Sequence, residues 1–234
     1  MKIGILAAGT NEGELLARFG SFAQMTEKML ASTGFSFVTW DVHLGVFPDA
    51  AEQCDAWVIT GSPVSVYDDL AWIAPLEQLI REIDRRQQPL LGICFGHQII
   101  AQALGGRVAK ADAGWGLGVD CYLSTISGVP HFSDEALQLH VIHQDQVVVL
   151  PETAEVLAGS EFCPNAVLRY GQHILTLQAH PEFSLDYMQA LLVAITPKYI
   201  TEVEAEQALR SLAYQRADAE PVISEMMAVL KGSY

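Results

Sequence analysis

Cys94 stands where a buried strand would pass directly into a helix, a position that suits a nucleophile. The apolar residues 89–93 precede it, helical spacing follows it, and Gly92 and Gly96 lie two positions to either side. A side chain at the tip of such a tight turn stands clear of the sheet, and the turn needs small residues at those two positions. We therefore predict that Cys94 is a thiol nucleophile held in a strand-to-helix elbow.

An acid–base pair for that thiol follows much later, at His180 and Glu182. The ring of Pro181 pushes His180 toward extended backbone, in which side chains two positions apart project to the same side. Glu182 can then hold the imidazole in orientation while His180 moves the proton. The sequence therefore predicts a Cys-His-Glu hydrolytic centre with Cys94 as its nucleophile.

Attack requires the thiolate, whereas an ordinary thiol titrates near about 8.5. Residues 95–104 have helical spacing and are followed by two glycines that close a helix. The sulfur of Cys94 would lie at the positive end of that helix, beside backbone N–H groups that have no partner within it. One of these groups, the N–H of Phe95, is a predicted oxyanion donor.

The elements that must position these residues alternate between strand and helix. Four apolar runs without polar alternation predict buried parallel strands at residues 2–7, 35–40, 56–60 and 89–93. Helical patterns lie between them, and right-handed crossovers would wind helices onto both faces of one sheet. We predict an α/β fold with an open, mostly parallel, doubly wound sheet of flavodoxin-like type, whose crevice at the carboxyl ends of the strands holds Cys94.

The pattern changes twice in the second half of the chain. Short strands and Gly or Pro turns between residues 105 and 176 predict a small antiparallel extension, with a turn at residues 114–118. The chain beyond Glu182 has helical spacing. We predict a catalytic domain over residues 1–195 and a C-terminal helical tail over residues 196–234 that packs on the same domain.

Composition limits the classes of function. Half of the 234 residues are apolar and 18% are charged, which allows a large core and argues against disorder. The formal charge of −15 repels nucleic acid and anionic membranes. Residues 1–7 are too short an apolar run for a signal peptide or a membrane span, and the four cysteines show no C-x-x-C pairing. We expect a cytoplasmic protein with a small-molecule substrate and no cofactor.

Four of the histidines raise the alternative of a metal site. His140 and His143 are three positions apart, and His131 and His173 would have to join them. No H-E-x-x-H helix or paired cysteines accompany them. We therefore expect no metal and attribute these side chains to polar loops.

Four segments together resemble the motifs of class I (triad-type) glutamine amidotransferases. Residues 92–98 resemble the nucleophile motif of that family, and residues 178–182 resemble its His-Pro-Glu motif. Residues 60–68 are similar to its oxyanion-strand loop, and residues 143–147 are similar to its substrate-pocket segment. The resemblance covers residues 1–195 in order and spacing, and it is to free-standing members related to the amidotransferase domain of GMP synthetase.

The resemblance implies glutaminase chemistry. Cys94 would attack the side-chain amide of glutamine to form a γ-glutamyl thioester, ammonia would leave, and water would release glutamate. It also implies an oxyanion hole formed by Gly61, Ser62 and Phe95. The substrate pocket that it implies is lined by Gln98, His143, Gln144 and Asp145. Ser62 departs from the pattern, because the family often has glycine there and a side chain restricts the backbone angles of the loop.

Three functions remain open at this point. One is a stand-alone hydrolase that cleaves glutamine or a γ-glutamyl peptide, which we favour. A second is an ammonia-supplying subunit of a two-chain synthase. The partner of the chain would then be a synthase, and a homodimer is the other partner that we consider. A third belongs to another class: a non-catalytic flavodoxin-like domain that uses Cys94 as a redox or regulatory thiol.

Overall fold

A computed structural model describes residues 1–31, 34–125, 132 and 136–232. The strands are β1 Lys2–Leu6, β2 Ser36–Trp40, β3 Ala56–Ile59, β4 Leu90–Ile93, β5 Arg107–Lys110, β6 Gly116–Ser124, β7 Leu137–His143, β8 Asp145–Val149, β9 Ala154–Gly159, β10 Val167–Tyr170 and β11 Ile174–Leu177. The helices are α1 Gly13–Phe19, α2 Phe22–Leu30, α3 Ile73–Arg85, α4 Phe95–Ala103, α5 Leu185–Ile195, α6 Glu202–Tyr214 and α7 Glu220–Lys231. Within the described ranges, no helix combines the length and the apolar character that crossing a membrane requires.

The parallel half of the main sheet has the strand order β2-β1-β3-β4-β11. This arrangement confirms the predicted mostly parallel sheet, and the four strands predicted in the first half of the chain are β1 to β4. Strands β4 and β11 are parallel neighbours, with Ile93 opposite Leu177. The N–H of Cys94 donates to the carbonyl of Leu177 over 2.8 Å. The chain segments that follow these two strands therefore leave the sheet side by side.

Helices cover both faces of this sheet. Successive residues of a strand point to opposite faces, and in β3 they enter different apolar clusters. Val58 packs in a cluster that includes Met226 of α7, whereas Ile59 packs with Ile80 of α3 and Ile100 of α4. This layering is the doubly wound arrangement that the alternating pattern predicts.

The antiparallel extension is also confirmed. Strands β10, β9, β6 and β7 continue the main sheet beyond β11, and β5 pairs with β8 in a separate two-stranded sheet. The predicted turn at residues 114–118 is wrong in its second half, because Gly116 already begins β6.

The interpretation of His140 and His143 as polar loop residues is wrong. Both belong to β7, and both are buried. Burial is tolerated because each ring bonds a backbone carbonyl through its Nδ1 atom. His140 bonds the carbonyl of Phe183 at 2.9 Å, and His143 bonds the carbonyl of Asp145 at 3.2 Å. His131 lies outside the described residues.

The C-terminal helices share the core of the main sheet. Val222 and Met226 of α7 are fully buried in one cluster with Leu91 of β4. On α6, the hydroxyl of Ser211 accepts a hydrogen bond of 3.0 Å from the backbone N–H of Val119 in β6. Removal of these helices would therefore expose apolar surface of the sheet to water.

Candidate active site

Cys94 occupies a strained turn between β4 and α4. Its backbone angles are φ 52° and ψ −103°, and Gln87 is the only other residue besides glycine with a positive φ in the described part of the chain. Such a conformation is unfavourable for a residue with a side chain and persists only where the surroundings impose it. It is the geometry of a nucleophile elbow, in which the side chain is held clear of the sheet.

The two glycines beside this elbow are sterically required. A Cβ atom added to Gly96 would lie 2.4 Å from the carbonyl oxygen of Ile59, and one added to Gly92 would lie 2.7 Å from the backbone of Gly96. Neither contact is tolerable for a real side chain. Close approach of β3, β4 and the first turn of α4 therefore fixes the place of the thiol.

His180 and Glu182 form a buried hydrogen-bonded pair. The Nδ1 atom of His180 lies 2.8 Å from Oε1 of Glu182, and the two side chains are 5% and 2% exposed. The ring and the side chain of Cys94 line the same cavity, and the charge of Cys94 acts on the ring. Cys94, His180 and Glu182, which the sequence predicts to form one catalytic centre, therefore lie next to one another.

The environment of His180 keeps its ring charged. Burial alone lowers the pKa of His180, but the charges of Glu182 and Cys94 and the hydrogen bonds to both raise it to about 10. The ring is therefore protonated at neutral pH. The sulfur of Cys94 therefore lies beside a positive charge.

Two neighbouring histidines show what the carboxylate contributes. Burial is the main factor that lowers the pKa of His143 to about 4 and that of His97 to about 3. Neither ring bonds a carboxylate: His143 bonds the carbonyl of Asp145, and His97 bonds the hydroxyl of Thr176 at 2.8 Å. His180, which has Glu182, is therefore the charged ring among the three at neutral pH.

An aromatic stack supports the His180 ring. The ring of Phe183 lies parallel to it, with 4.0 Å between centroids and 7° between planes. Tyr187 packs behind Phe183 at 4.4 Å, and its hydroxyl donates to Oδ1 of Asn11 over 2.6 Å. The imidazole is thus held by Glu182 at its edge and by Phe183 at its face.

Gln178 is a site residue to which the sequence assigned no role. Its Nε2 atom lies 3.6 Å from the sulfur of Cys94, and its Oε1 atom accepts a 3.0 Å hydrogen bond from Gln98. The same amide of Gln98 donates to the carbonyl of Asp145 at 2.8 Å. Gln178 is the first residue after β11, in the segment that carries His180. This position is the feature of the sequence from which its place in the site could have been predicted.

The loop after β3 lies against His180 and Cys94. A Cβ atom added to Gly61 would be 3.1 Å from Cε1 of His180 and 3.8 Å from Cβ of Cys94. Ser62 has no positive φ, and its hydroxyl donates to the carbonyl of Ala8 over 2.7 Å. The departure from glycine at Ser62 is therefore accommodated without backbone strain.

The carboxylate of Asp145 joins the substrate-pocket segment to this loop. The hydroxyls of Ser65 and Tyr67 donate to its two oxygens, at 2.5 and 2.8 Å. Asp145 therefore holds the loop in place with its side chain, while its backbone carbonyl bonds Gln98.

A cavity of about 490 Å³ opens above Cys94 and His180. Asp145 lines it, as do five more of the residues predicted for the oxyanion hole and the substrate pocket: Gly61, Ser62, Gln98, His143 and Gln144. Phe95 does not line it with its side chain, which packs against Trp72 at 5.4 Å between ring centroids. Further lining residues were not foreseen from the sequence: Phe22, Lys110, Trp115, Ile142, Leu191, Ile195, Lys198 and Tyr199.

No cluster of three or more metal-ligating side chains occurs in the described residues.

Fold and site together define a class of protein. The model of the family "Glutamine amidotransferase class-I" matches residues 15–194. That range contains the elbow, the His-Glu pair and the loop after β3. The chain therefore belongs to the class I glutamine amidotransferases.

Individual relatives agree with this assignment. A glutamine amidotransferase-like protein of Schizosaccharomyces pombe is 29% identical over 89% of this chain and 90% of its own length. Gamma-glutamyl peptidase 4 of Arabidopsis thaliana is 31% identical over 79% of this chain and 77% of its own length. The glutamine-hydrolyzing GMP synthase of Porphyromonas gingivalis is 35% identical, over 53% of this chain and 24% of its own length.

A solved structure shows the same fold. The crystal structure of a glutamine amidotransferase from Thermotoga maritima superposes with a TM-score of 0.75, covers 98% of both chains and is 22% identical.

Proposed function

We propose that this chain is a cysteine-dependent amidohydrolase that cleaves γ-glutamyl amide bonds. Cys94 attacks the γ-carbonyl carbon, and His180 donates its proton to the departing nitrogen as the carbon–nitrogen bond breaks. The γ-glutamyl thioester left on Cys94 is then hydrolysed by water, which His180 activates as a base, and glutamate leaves.

The other predicted residues take supporting roles in this proposal. Backbone N–H groups of the loop at Gly61 and Ser62, and of Phe95 at the start of α4, stabilise the oxyanion. Phe95 is the first residue of α4, so its N–H has no partner within the helix. The side of the cavity near Cys94 takes the glutamyl group, lined by Gln98, His143, Gln144 and Asp145.

One observation carries the proposal: the His180–Glu182 pair, joined over 2.8 Å, lies beside the thiol of a strained elbow at the base of a cavity. Acyl transfer uses each of these parts: the thiol as nucleophile, the imidazole to move the proton, the carboxylate to orient the imidazole and the cavity to hold the substrate. A redox or regulatory thiol needs neither a buried carboxylate nor a charged imidazole, so the same observation speaks against the non-catalytic alternative.

The relatives leave two substrate classes. The γ-glutamyl peptidases support a stand-alone hydrolase of γ-glutamyl peptides, which we take as the primary function. The GMP synthase relatives support a second candidate, the release of ammonia from glutamine for a synthase partner.

Product analysis over a substrate panel tests the proposal. Purified chain is incubated with glutamine and with γ-glutamyl dipeptides, and glutamate, ammonia and free amino acid are measured. We expect glutamate from at least one substrate, and stoichiometric labelling of Cys94, but not of the half-buried Cys121, by a glutamine-like alkylating agent. Glutamate release that persists in Cys94→Ala, or an unlabelled Cys94, would refute the cysteine mechanism.

A further inference from the structure

The outer wall of the catalytic cavity comes from a part of the chain that the family model does not reach. Lys198 and Tyr199 line the cavity and follow α5, whereas the family match ends at residue 194. The two side chains contact each other, with the Nζ atom of Lys198 4.7 Å from the centroid of the Tyr199 ring. This outer wall therefore lies outside the region over which the family model describes the chain.

Two lysine side chains, Lys110 and Lys198, line the cavity. In the described residues, neither Lys110 nor Lys198 has a carboxylate oxygen within 4.0 Å, although the charge of Glu12 acts on Lys198 from further away. In a chain with 13 basic and 28 acidic residues, two such ammonium groups beside one cavity favour an anionic ligand.

Glutamine gives this wall little to bind. Its leaving group is ammonia, which has neither a carboxylate nor a side chain. The cavity of about 490 Å³ lies within the range of about 300–1,000 Å³ typical of sites for larger ligands. Trp115 and Leu191 also line it, so the space beside the lysines has apolar surface as well.

We propose that this outer wall is a subsite for the amino acid released from a γ-glutamyl peptide. Lys198 pairs with the α-carboxylate of that amino acid, assisted by Lys110, and the rings of Tyr199 and Trp115 pack against its apolar side chain. The inference rests on the proposed hydrolase function and names the substrate class: γ-glutamyl peptides with a free carboxylate and an apolar residue on the leaving side.

The reaction balances with water as the second reactant. The sulfur of Cys94 bonds the γ-carbon, the amide carbon–nitrogen bond breaks, and the nitrogen takes a proton from His180. The amino acid departs with its carboxylate unchanged. Water then cleaves the carbon–sulfur bond, so glutamate is released and the thiol is restored.

A comparison of three substrates in two lysine variants tests the subsite. γ-Glutamyl-leucine, its C-terminal amide and glutamine are assayed with the parent chain, Lys198→Gln and the control Lys231→Gln, whose exposed lysine does not line the cavity. We expect Lys198→Gln to lower kcat/KM for γ-glutamyl-leucine about fivefold or more, the effect of losing one partly exposed charged pair. In Lys198→Gln, kcat/KM for the amide and for glutamine should change less than twofold. Lys231→Gln should leave kcat/KM unchanged for all three substrates.

A binding measurement separates this proposal from the proposed function. Calorimetric titration of γ-glutamyl-leucine into Cys94→Ala requires no turnover, and adding Lys198→Gln should raise Kd about fivefold, with a smaller difference at high salt. That result supports the subsite even if the parent releases no glutamate. Equal losses for all three substrates would assign Lys198 to the glutamyl half and overturn the proposal, as would an unchanged Kd.

Discussion

The two ends of the catalytic cavity are built in opposite ways. At the inner end, Cys94, His180 and Glu182 are buried, and a 2.8 Å hydrogen bond joins His180 to Glu182. At the outer end, Lys198 and Tyr199 are exposed side chains on a turn between two helices.

The difference separates the demands of chemistry from those of selection. Attack on a carbonyl needs atoms held in one arrangement, and misplacement by about 1 Å can cost about a hundredfold in rate. Selection of a leaving group needs only complementary charge and apolar surface, which adaptable side chains provide. Loss of the thiol, the elbow or the carboxylate at the inner end should therefore have a larger effect than the fivefold effect expected for Lys198.

Removal of the thiol should have the largest effect. We expect Cys94→Ala to lower turnover at least about a thousandfold, because the nucleophile is lost. Its free energy of unfolding should stay within about 1 kcal/mol of the parent, since the replaced side chain is small. The assay is glutamate release together with urea unfolding, and Cys121→Ala is the control. A large loss of stability would instead mark Cys94 as a structural thiol.

Displacement of the elbow should come second. Gly96→Ala places a Cβ atom 2.4 Å from the carbonyl oxygen of Ile59, so β3 and α4 must move apart. We expect a loss of about 1–3 kcal/mol in stability and about a hundredfold in kcat. Gly13→Ala is the matched control, because its positive φ imposes strain while nothing lies within 4 Å. Normal kcat in Gly96→Ala would show that the chemistry tolerates a displaced elbow.

Loss of the Glu182 carboxylate should change the pH dependence of kcat/KM. In the parent, the buried His180 keeps its proton up to a pKa of about 10 because Glu182 and Cys94 oppose the effect of burial. In Glu182→Gln the carboxylate charge is gone, so the pKa of His180 falls and the proton is lost at lower pH. We expect kcat/KM to drop about tenfold to a hundredfold and its alkaline limb to move to lower pH.

The control for this change is Glu206→Gln, which removes an exposed carboxylate paired with Arg210. It should leave both the rate and the pH profile unchanged. An alkaline limb that stays in place in Glu182→Gln would show that Glu182 does not set the charge of His180.

Loss of the aromatic stack should have the smallest effect at the inner end. Phe183→Leu keeps apolar bulk but removes the parallel ring 4.0 Å from His180. We expect kcat to fall about fivefold to tenfold with little change in KM, because the ring orients the proposed base, His180. Phe19→Leu is the control, since Phe19 contacts Tyr187 and not His180. An equal fall in both variants would indicate a general packing effect.

The sequence predicted those parts of the molecule that are set by neighbours along the chain. The elbow depends on Gly92, Cys94 and Gly96, and the acid–base pair depends on Pro181 between His180 and Glu182, so local rules were sufficient for both. The buried parallel strands were recognisable because they lack polar alternation.

The parts that were missed depend on contacts between distant segments. Gln178 reaches the sulfur of Cys94 only because β4 and β11 are neighbours, and Lys198 reaches the cavity only because α5 crosses its outer side. His140 was assigned to a loop because its polar side chain conceals a buried strand, and its carbonyl partner on Phe183 is 43 positions away.

Mass spectrometry of the acid-quenched protein during turnover of γ-glutamyl-leucine most directly tests the central claim, that Cys94 carries the γ-glutamyl group. We expect one γ-glutamyl adduct, confined to the peptide that contains Cys94 and removed by hydroxylamine. Steady glutamate release with no adduct on Cys94, under quenching that preserves a model thioester, would contradict it.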